Sequence, residues 1–215
     1  YGGYHNSYGY GSDDGYRYGY DGADVDFSID YIKDMLDLSD GRTVDGKHTP
    51  GVYEVGAGKD LEPGLYYVEG DPADEADYVV FGPTSDARYE VDYGVTYFGN
   101  YFVELEEGTV FAWDAPDGLR LYPASDAAFE PAAPYRSGLY RVGEDIPAGT
   151  YTVTIEPEAA AEADNECGAF VMRDLAFGSG SITDEKYVVR GGSQTVTVKD
   201  GDWLELYAAT AAPAQ

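Results

Sequence analysis

Cysteine, histidine and basic residues are all scarce in this chain, and each scarcity removes a class of function. A lone Cys167 cannot close an internal disulfide, and with only two histidines beside it no tetrahedral zinc set can be assembled. His5 and His48 both precede residue 51, so residues 51–215 supply no Ser-His-Asp or Cys-His arrangement. Thirteen bases stand against forty-one acids, a net charge of −28. Nucleic acid is a poor partner for such a surface, because binding needs phosphates neutralised by Lys and Arg. Anionic lipid is disfavoured for the same reason. No apolar run approaches the roughly 18 residues needed to span a bilayer. The chain starts at Tyr1 rather than Met, and a signal or anchor removed upstream is expected.

What the chain does have is a repeat. Gly138-Leu-Tyr-Arg-Val-Gly-Glu-Asp-Ile-Pro-Ala-Gly-Thr-Tyr151 has an earlier counterpart in Gly51-Val-Tyr-Glu-Val-Gly-Ala-Gly-Lys-Asp-Leu-Glu-Pro-Gly-Leu-Tyr66, with Ala57-Gly58 as a two-residue insertion. The spacing of roughly 85–90 residues marks a duplication and favours two modules.

Residues 1–22 are almost entirely Tyr, Gly, Asp and Ser, with no aliphatic side chain. They read as a flexible spacer, or as an adhesive tail whose spaced rings associate between chains; they cannot build a core. Residues 23–50 read as a short amphipathic helix and a linker. Ile29, Ile32 and Leu36 share one face and Asp30, Lys33, Asp34 and Asp37 the other. Asp24, Asp26 and Ser28 are candidate N-caps and Gly41 a stop. About three turns are marginal alone, so the apolar face is expected to dock on a module or a partner.

The first β module is expected over 51–123, with strand signals at 53–55, 65–69, 78–81, 89–98, 101–106, 109–113 and 119–122. Residues 124–137 read as a semi-rigid Pro/Ala linker. The second module is expected over 138–210. Thr150-Tyr-Thr-Val-Thr-Ile-Glu156 alternates strictly, with Tyr151, Val153 and Ile155 on one face. Thr195–Leu206 reads as a hairpin about Asp200-Gly201, with Phe102–Trp113 as its counterpart about Glu107-Gly108. That register equates Phe111 and Trp113 with Leu204 and Leu206. The fold class is therefore all-β: two tandem homologous antiparallel β-sandwiches or barrel-like modules, behind a short helix and a Tyr/Gly-rich tail. Each repeat carries a full set of strand signals, so residues 135–212 are expected to fold alone.

Val142-Gly-Glu-Asp-Ile-Pro-Ala-Gly-Thr-Tyr151, followed some forty residues later by Val-Thr-Val-Lys-Asp-Gly-Asp-Trp-Leu-Glu-Leu206, resembles a repeat in uncharacterised secreted proteins and lipoproteins of Gram-positive bacteria. The first module departs from it at Glu62-Pro63, where Pro-Ala would stand. The resemblance covers residues 51–208 and implies an extracellular or cell-surface location and a β fold. It implies no activity.

No catalytic residue, metal ligand or cofactor is assigned. Turn chemistry accounts for the repeated motif, with Gly143 and Gly149 in turns, Asp145 capping the loop and Pro147 fixing the entry to the strand. Cys167 reads as a buried, inert thiol. Carboxylates such as Glu104, Glu106, Glu107, Asp74, Glu75 and Asp77 could pair as in a hydrolase, but chance pairs abound among forty-one acids. Asp71–Asp77 and Asp21–Asp26 lack the twelve-residue calcium-loop pattern. Among the twenty-two tyrosines, Tyr89, Tyr93, Tyr97 and Tyr101 are the candidates for an exposed ligand ridge. The expected function is a non-catalytic structural or binding role at a cell surface. The expected partner is a surface protein or a glycan, and self-association through the N-terminal segment is a further expectation.

Overall fold

A computed structural model describes residues 26–159 and 167–215, so the expected spacer 1–22 lies outside the described residues. The described chain opens with helix α1 (Ile29–Leu36) and a small hairpin, β1 (Thr43–Val44) and β2 (Lys47–His48). The first repeat then supplies β3 (Gly51–Glu54), β4 (Gly64–Val68), β5 (Glu75–Ser85), β6 (Arg88–Phe98), β7 (Tyr101–Leu105), β8 (Val110–Asp114) and β9 (Leu121–Pro123). The second supplies β10 (Gly138–Arg141), β11 (Gly149–Ile155), β12 (Gly168–Met172), β13 (Ile182–Tyr187), β14 (Gln194–Val198), β15 (Trp203–Tyr207) and β16 (Ala209–Pro213).

The two repeats have one topology. Copy 1 pairs its strands β3-β8-β5-β6 and β7-β4-β9; copy 2 pairs β10-β15-β12-β13 and β14-β11-β16. Register agrees residue for residue: Gly51 faces Trp113 as Gly138 faces Leu206, and Tyr66 faces Val103 as Tyr151 faces Val196. Every pairing between these strands is antiparallel, and in each copy the two sheets enclose one core. Phe111 and Trp113 are buried in the first, and Leu204 and Leu206 in the second, at matching positions.

Three local features depart from the sequence reading. Residues 102–113 and 195–206 are not hairpins, because β7 and β14 lie in one sheet of each sandwich and β8 and β15 in the other. The turn amides bond elsewhere: Gly108 N–H donates to Val55 O and Gly201 N–H to Val142 O, both at 2.9 Å. These turns are arches that carry the chain across the core, so the apolar residues of both strands face each other. Residues 39–50 are not a plain linker. Asp45 and Gly46 both take positive φ (52° and 80°), the geometry of a two-residue hairpin, and β2 adds to the edge of β9. Gly41 does not end the helix either. Asp37 does so in the left-handed conformation (φ 54°), while Gly41 is required by close packing, since a Cβ there would fall 1.8 Å from the Tyr53 ring.

The helix begins where Ser28 Oγ accepts from Tyr31 N–H at 3.2 Å. It lies on the outer face of the β3-β8-β5-β6 sheet. There Ile32 and Phe27 are buried with Val52, Val79, Phe81, Val110 and Ala112, and Ile29, Met35 and Leu36 close the edges. The stripe therefore docks on the protein's own first copy.

The equivalent outer face in copy 2 carries Leu139, Phe170, Met172, Trp203 and Glu205. It is covered by copy 1 instead of by a helix. Leu139, Met172, Leu175 and Phe177 belong to the core cluster of copy 1, Phe98 packs edge-on against Tyr207, and Arg141 lies over the Phe102 ring at 4.9 Å. Residues 124–137 are no spacer, because Phe129 is wedged among Tyr67, Phe102 and Tyr140. Asn100 links the copies through the backbone, donating from Nδ2 to Leu139 O at 2.6 Å and accepting Leu139 N–H at 2.9 Å.

Candidate functional site

The proposed tyrosine ridge does not exist as an exposed feature. On β6, Val80 pairs with Tyr93 but Phe81 with Val91, so Asp92 is an extra residue in the strand. A one-residue bulge exchanges the faces of everything beyond it. Tyr89 consequently lies on the helix side, half-buried, with its backbone paired to Phe27. Tyr93, Tyr97 and Tyr101 turn inward, and the last two are fully buried. Four-residue spacing puts Tyr89, Tyr93 and Tyr97 on one side of a regular strand, whereas Tyr101 belongs to β7 in the other sheet.

Inside, the three tyrosines meet Tyr78. Their ring centroids lie 6.0–6.3 Å from that of Tyr78. Trp113 Nε1 donates to Tyr97 Oη at 2.9 Å, and Tyr97 Oη donates to Glu69 O at 3.0 Å. Tyr101 Oη donates to Glu205 Oε2 at 3.2 Å across the junction between the copies. Burial pushes the Tyr78, Tyr93 and Tyr97 phenols well above their usual range, so all three stay protonated. Tyr78 Oη has no hydrogen-bond partner among the described residues, and Glu205 is 1% exposed. Such a cluster welds the copies together; it offers no surface to a large ligand.

The repeated motif is occupied by folding. Asp145 Oδ2 accepts Arg141 N–H at 2.8 Å, and Asp60 Oδ2 accepts Glu54 N–H at 2.9 Å in the same place. Gly143 N–H bonds Ile146 O and Gly56 N–H bonds Leu61 O, which buries Ile146 and Leu61. The tyrosine after each Gly-x anchors the backbone four residues earlier. Tyr66 Oη donates to Glu62 O at 2.8 Å, Tyr140 to Arg136 O at 2.6 Å and Tyr151 to Pro147 O at 2.5 Å; Tyr53 bonds Thr49 O likewise. This tie explains why the repeat holds Tyr where Phe would pack as well. Tyr151→Phe is expected to lower stability by about 1 kcal/mol, the ordinary net worth of one hydrogen bond. Tyr78→Phe, which loses no bond, should be neutral or stabilising. Urea midpoints at unchanged slope check both; equal losses would refute the assignment.

The remaining candidates scatter. Glu107 Oε1 accepts Ala57 N–H, and Asp71 Oδ1 accepts Ala73 N–H. Thr96 bonds Asp77, whose carboxyl burial holds above its usual range despite that bond, with Asp114 adding to the rise from the neighbouring strand. Asp92 is raised in the same way by burial, then by Glu90 and Glu106. Among the described residues no three His, Cys, Asp or Glu side chains converge on a metal position. Cys167 is buried with Phe98, Phe170 and Tyr207. His48 sits on β2 with its Nδ1 3.2 Å from Thr43 Oγ1, and burial lowers its pKa.

One surface stands apart. The outward positions of β14, β11 and β16 are Thr195 and Thr197, Thr150, Thr152 and Thr154, and Thr210 and Ala212, all exposed or half-exposed. Six of the chain's twelve threonines lie on this face, and none of its seven positions is charged. Thr150 and Thr197 share a hydrogen bond, as do Thr154 and Thr210, each at 2.9 Å. In copy 1 the equivalent positions hold Phe102 and Glu104, Leu65, Tyr67 and Glu69, and Arg120 and Tyr122. There the face is occupied, with Phe129 on Tyr67 and Trp203 against Phe102. The signal was present in the Thr-x-Thr-x-Thr and Thr-x-Thr spacing of β11 and β14, but only strand pairing brings the rows together.

Comparison with protein-family models, with curated proteins and with solved structures finds no match in any of the three.

Proposed function

We propose that this is a non-catalytic structural or binding protein that works outside the cytoplasm at a cell surface, where its fused pair of β-sandwiches presents a binding face. The observation that carries the reading is the contrast between two equivalent sheets. The sheet is docked and aromatic in copy 1, but exposed and uncharged in copy 2. Three further features support it: the repeat's motif residues serve turns and ties, the tyrosine set serves the junction, and residues 51–208 resemble a repeat of secreted Gram-positive proteins and lipoproteins. A net charge of −28 keeps such a surface protein from self-collapse onto like-charged neighbours. Antibody labelling of intact cells that make the protein tests the location, with a cytoplasmic enzyme as the permeability control. Labelling before lysis is expected. Labelling only after lysis would overturn the proposal.

A further inference from the structure

The geometry points to the threonine face of the β14-β11-β16 sheet as a docking surface for a neutral, hydroxyl-rich polysaccharide, an assignment that deepens the surface-binding reading and rests on it. Threonine alone is ordinary on a solvent-facing strand. Four further observations go beyond that. The same sheet in copy 1 is a docking face within this very molecule, receiving Phe129 and Trp203, so the fold already uses this surface for contact. In copy 2 every residue equivalent to an aromatic or charged one of copy 1 has become Thr or Ala, which removes both the apolar patch and the charge. The hydroxyls stand in rows fixed by strand pairing, neighbours about 4.8 Å apart across strands and about 6.8 Å along them. Finally, the face is uncharged on a chain of net charge −28.

Charge selects among occupants. A polyanion such as a uronic-acid or sulfated polymer would be repelled by the whole molecule, and so would a second copy of this chain. A cationic partner would gain nothing from a face without acids when acids are plentiful elsewhere on the chain. A neutral polysaccharide meets neither difficulty. Its hydroxyls exchange hydrogen bonds with Thr Oγ atoms, each a donor and an acceptor, and its ring C–H faces meet the threonine methyl groups. The Thr150–Thr197 and Thr154–Thr210 bonds hold those hydroxyls in place before any ligand arrives, which lowers the ordering cost of binding.

The test is retention of the full chain on insoluble neutral polysaccharides (amorphous cellulose, chitin, mannan and cross-linked dextran), with alginate beads as the anionic control. At least one neutral matrix should retain the protein, and alginate should not. The double substitution Thr152→Asp with Thr197→Asp should weaken retention by about tenfold or more, while Thr84→Asp, on an exposed part of β5 in a different sheet of copy 1, should leave it unchanged. Because Thr84 and Thr197 are exposed and Thr152 is half-exposed, melting temperatures should stay close to that of the parent, and Thr152→Ser with Thr197→Ser is the milder check. No retention on any neutral matrix would overturn the inference, as would retention that the Asp pair does not weaken. A dimer of the parent chain that the Asp pair abolishes would assign the face to self-association instead. Failure here with successful labelling of intact cells would leave the surface location standing.

Discussion

Deleting residues 26–38 is expected to lower the melting temperature sharply and to make the protein bind hydrophobic dyes. The helix covers Val52, Val79, Phe81, Val110 and Ala112, all 6% exposed or less. Without it, five adjacent apolar residues on the outside of a sheet face water, the kind of patch that drives association. The point substitution Ile32→Ala isolates the contact. Ile32 is completely buried, and truncations of this kind cost about 2–5 kcal/mol. For a chain of this size that corresponds to a fall of roughly 4–20 °C. Removing residues 1–22 instead should leave the melting temperature unchanged, because that segment has no aliphatic residue to bury. Calorimetry and dye binding on the truncations decide the matter. Equal melting of the parent and the 26–38 deletion would show that the helix serves something other than the sheet beneath it.

The contrast between helix and linker shows what sequence patterns can and cannot carry. The stripe of Ile29, Ile32 and Leu36 was legible because helical spacing forces those side chains onto one face. The seven strands of copy 1 were legible because each is bracketed by turn residues and carries β-branched or aromatic side chains. Pairing was less visible. Asp200-Gly201 has the chemistry of a tight hairpin, yet local turn preference cannot reveal that Val142 O accepts the Gly201 amide and draws the strands into opposite sheets. Asp45-Gly46, a similar pair, does form the hairpin. The bulge at Asp92 is likewise a tertiary event: it leaves Tyr89 on the helix side and Tyr93 and Tyr97 in the core, which Tyr101 reaches separately from β7. Phe129 is hidden from sequence reading because the stretch around it is rich in Ala and Pro, although its own ring is the anchor. The threonine face was half legible: alternation placed its rows on one side of each strand, and only the sheet made them a surface.

Cutting between the copies is expected to have the larger effect, contrary to the independence that the repeat suggests. Residues 135–212 hold all seven strands of copy 2, short of only the last residue of β16, with their own core, so local β structure should persist in isolation. Their outer face, however, was shaped by copy 1. Leu139, Phe170, Met172, Leu175 and Phe177 are each 6% exposed or less, and Trp203 packs against Phe102. At about 1.5–3 kcal/mol for each fully buried side chain, the five buried ones represent roughly 7.5–15 kcal/mol as an upper bound, and the half-buried Trp203 adds less. That is comparable to the whole stability of a typical domain. Copy 2 alone would also leave Glu205 without the Tyr101 hydroxyl, beside an apolar patch. The fragment should therefore show a β-type circular dichroism spectrum but elute as oligomers and bind hydrophobic dye. Fragments 26–132 and 133–215, refolded together, should combine into a one-to-one complex that melts cooperatively. Trp203→Ala in the intact chain should loosen the junction, and protease nicking near Phe129 would report the opening. A monomeric, cooperatively melting 135–212 fragment that binds no dye would show that the two copies are independent domains that merely touch.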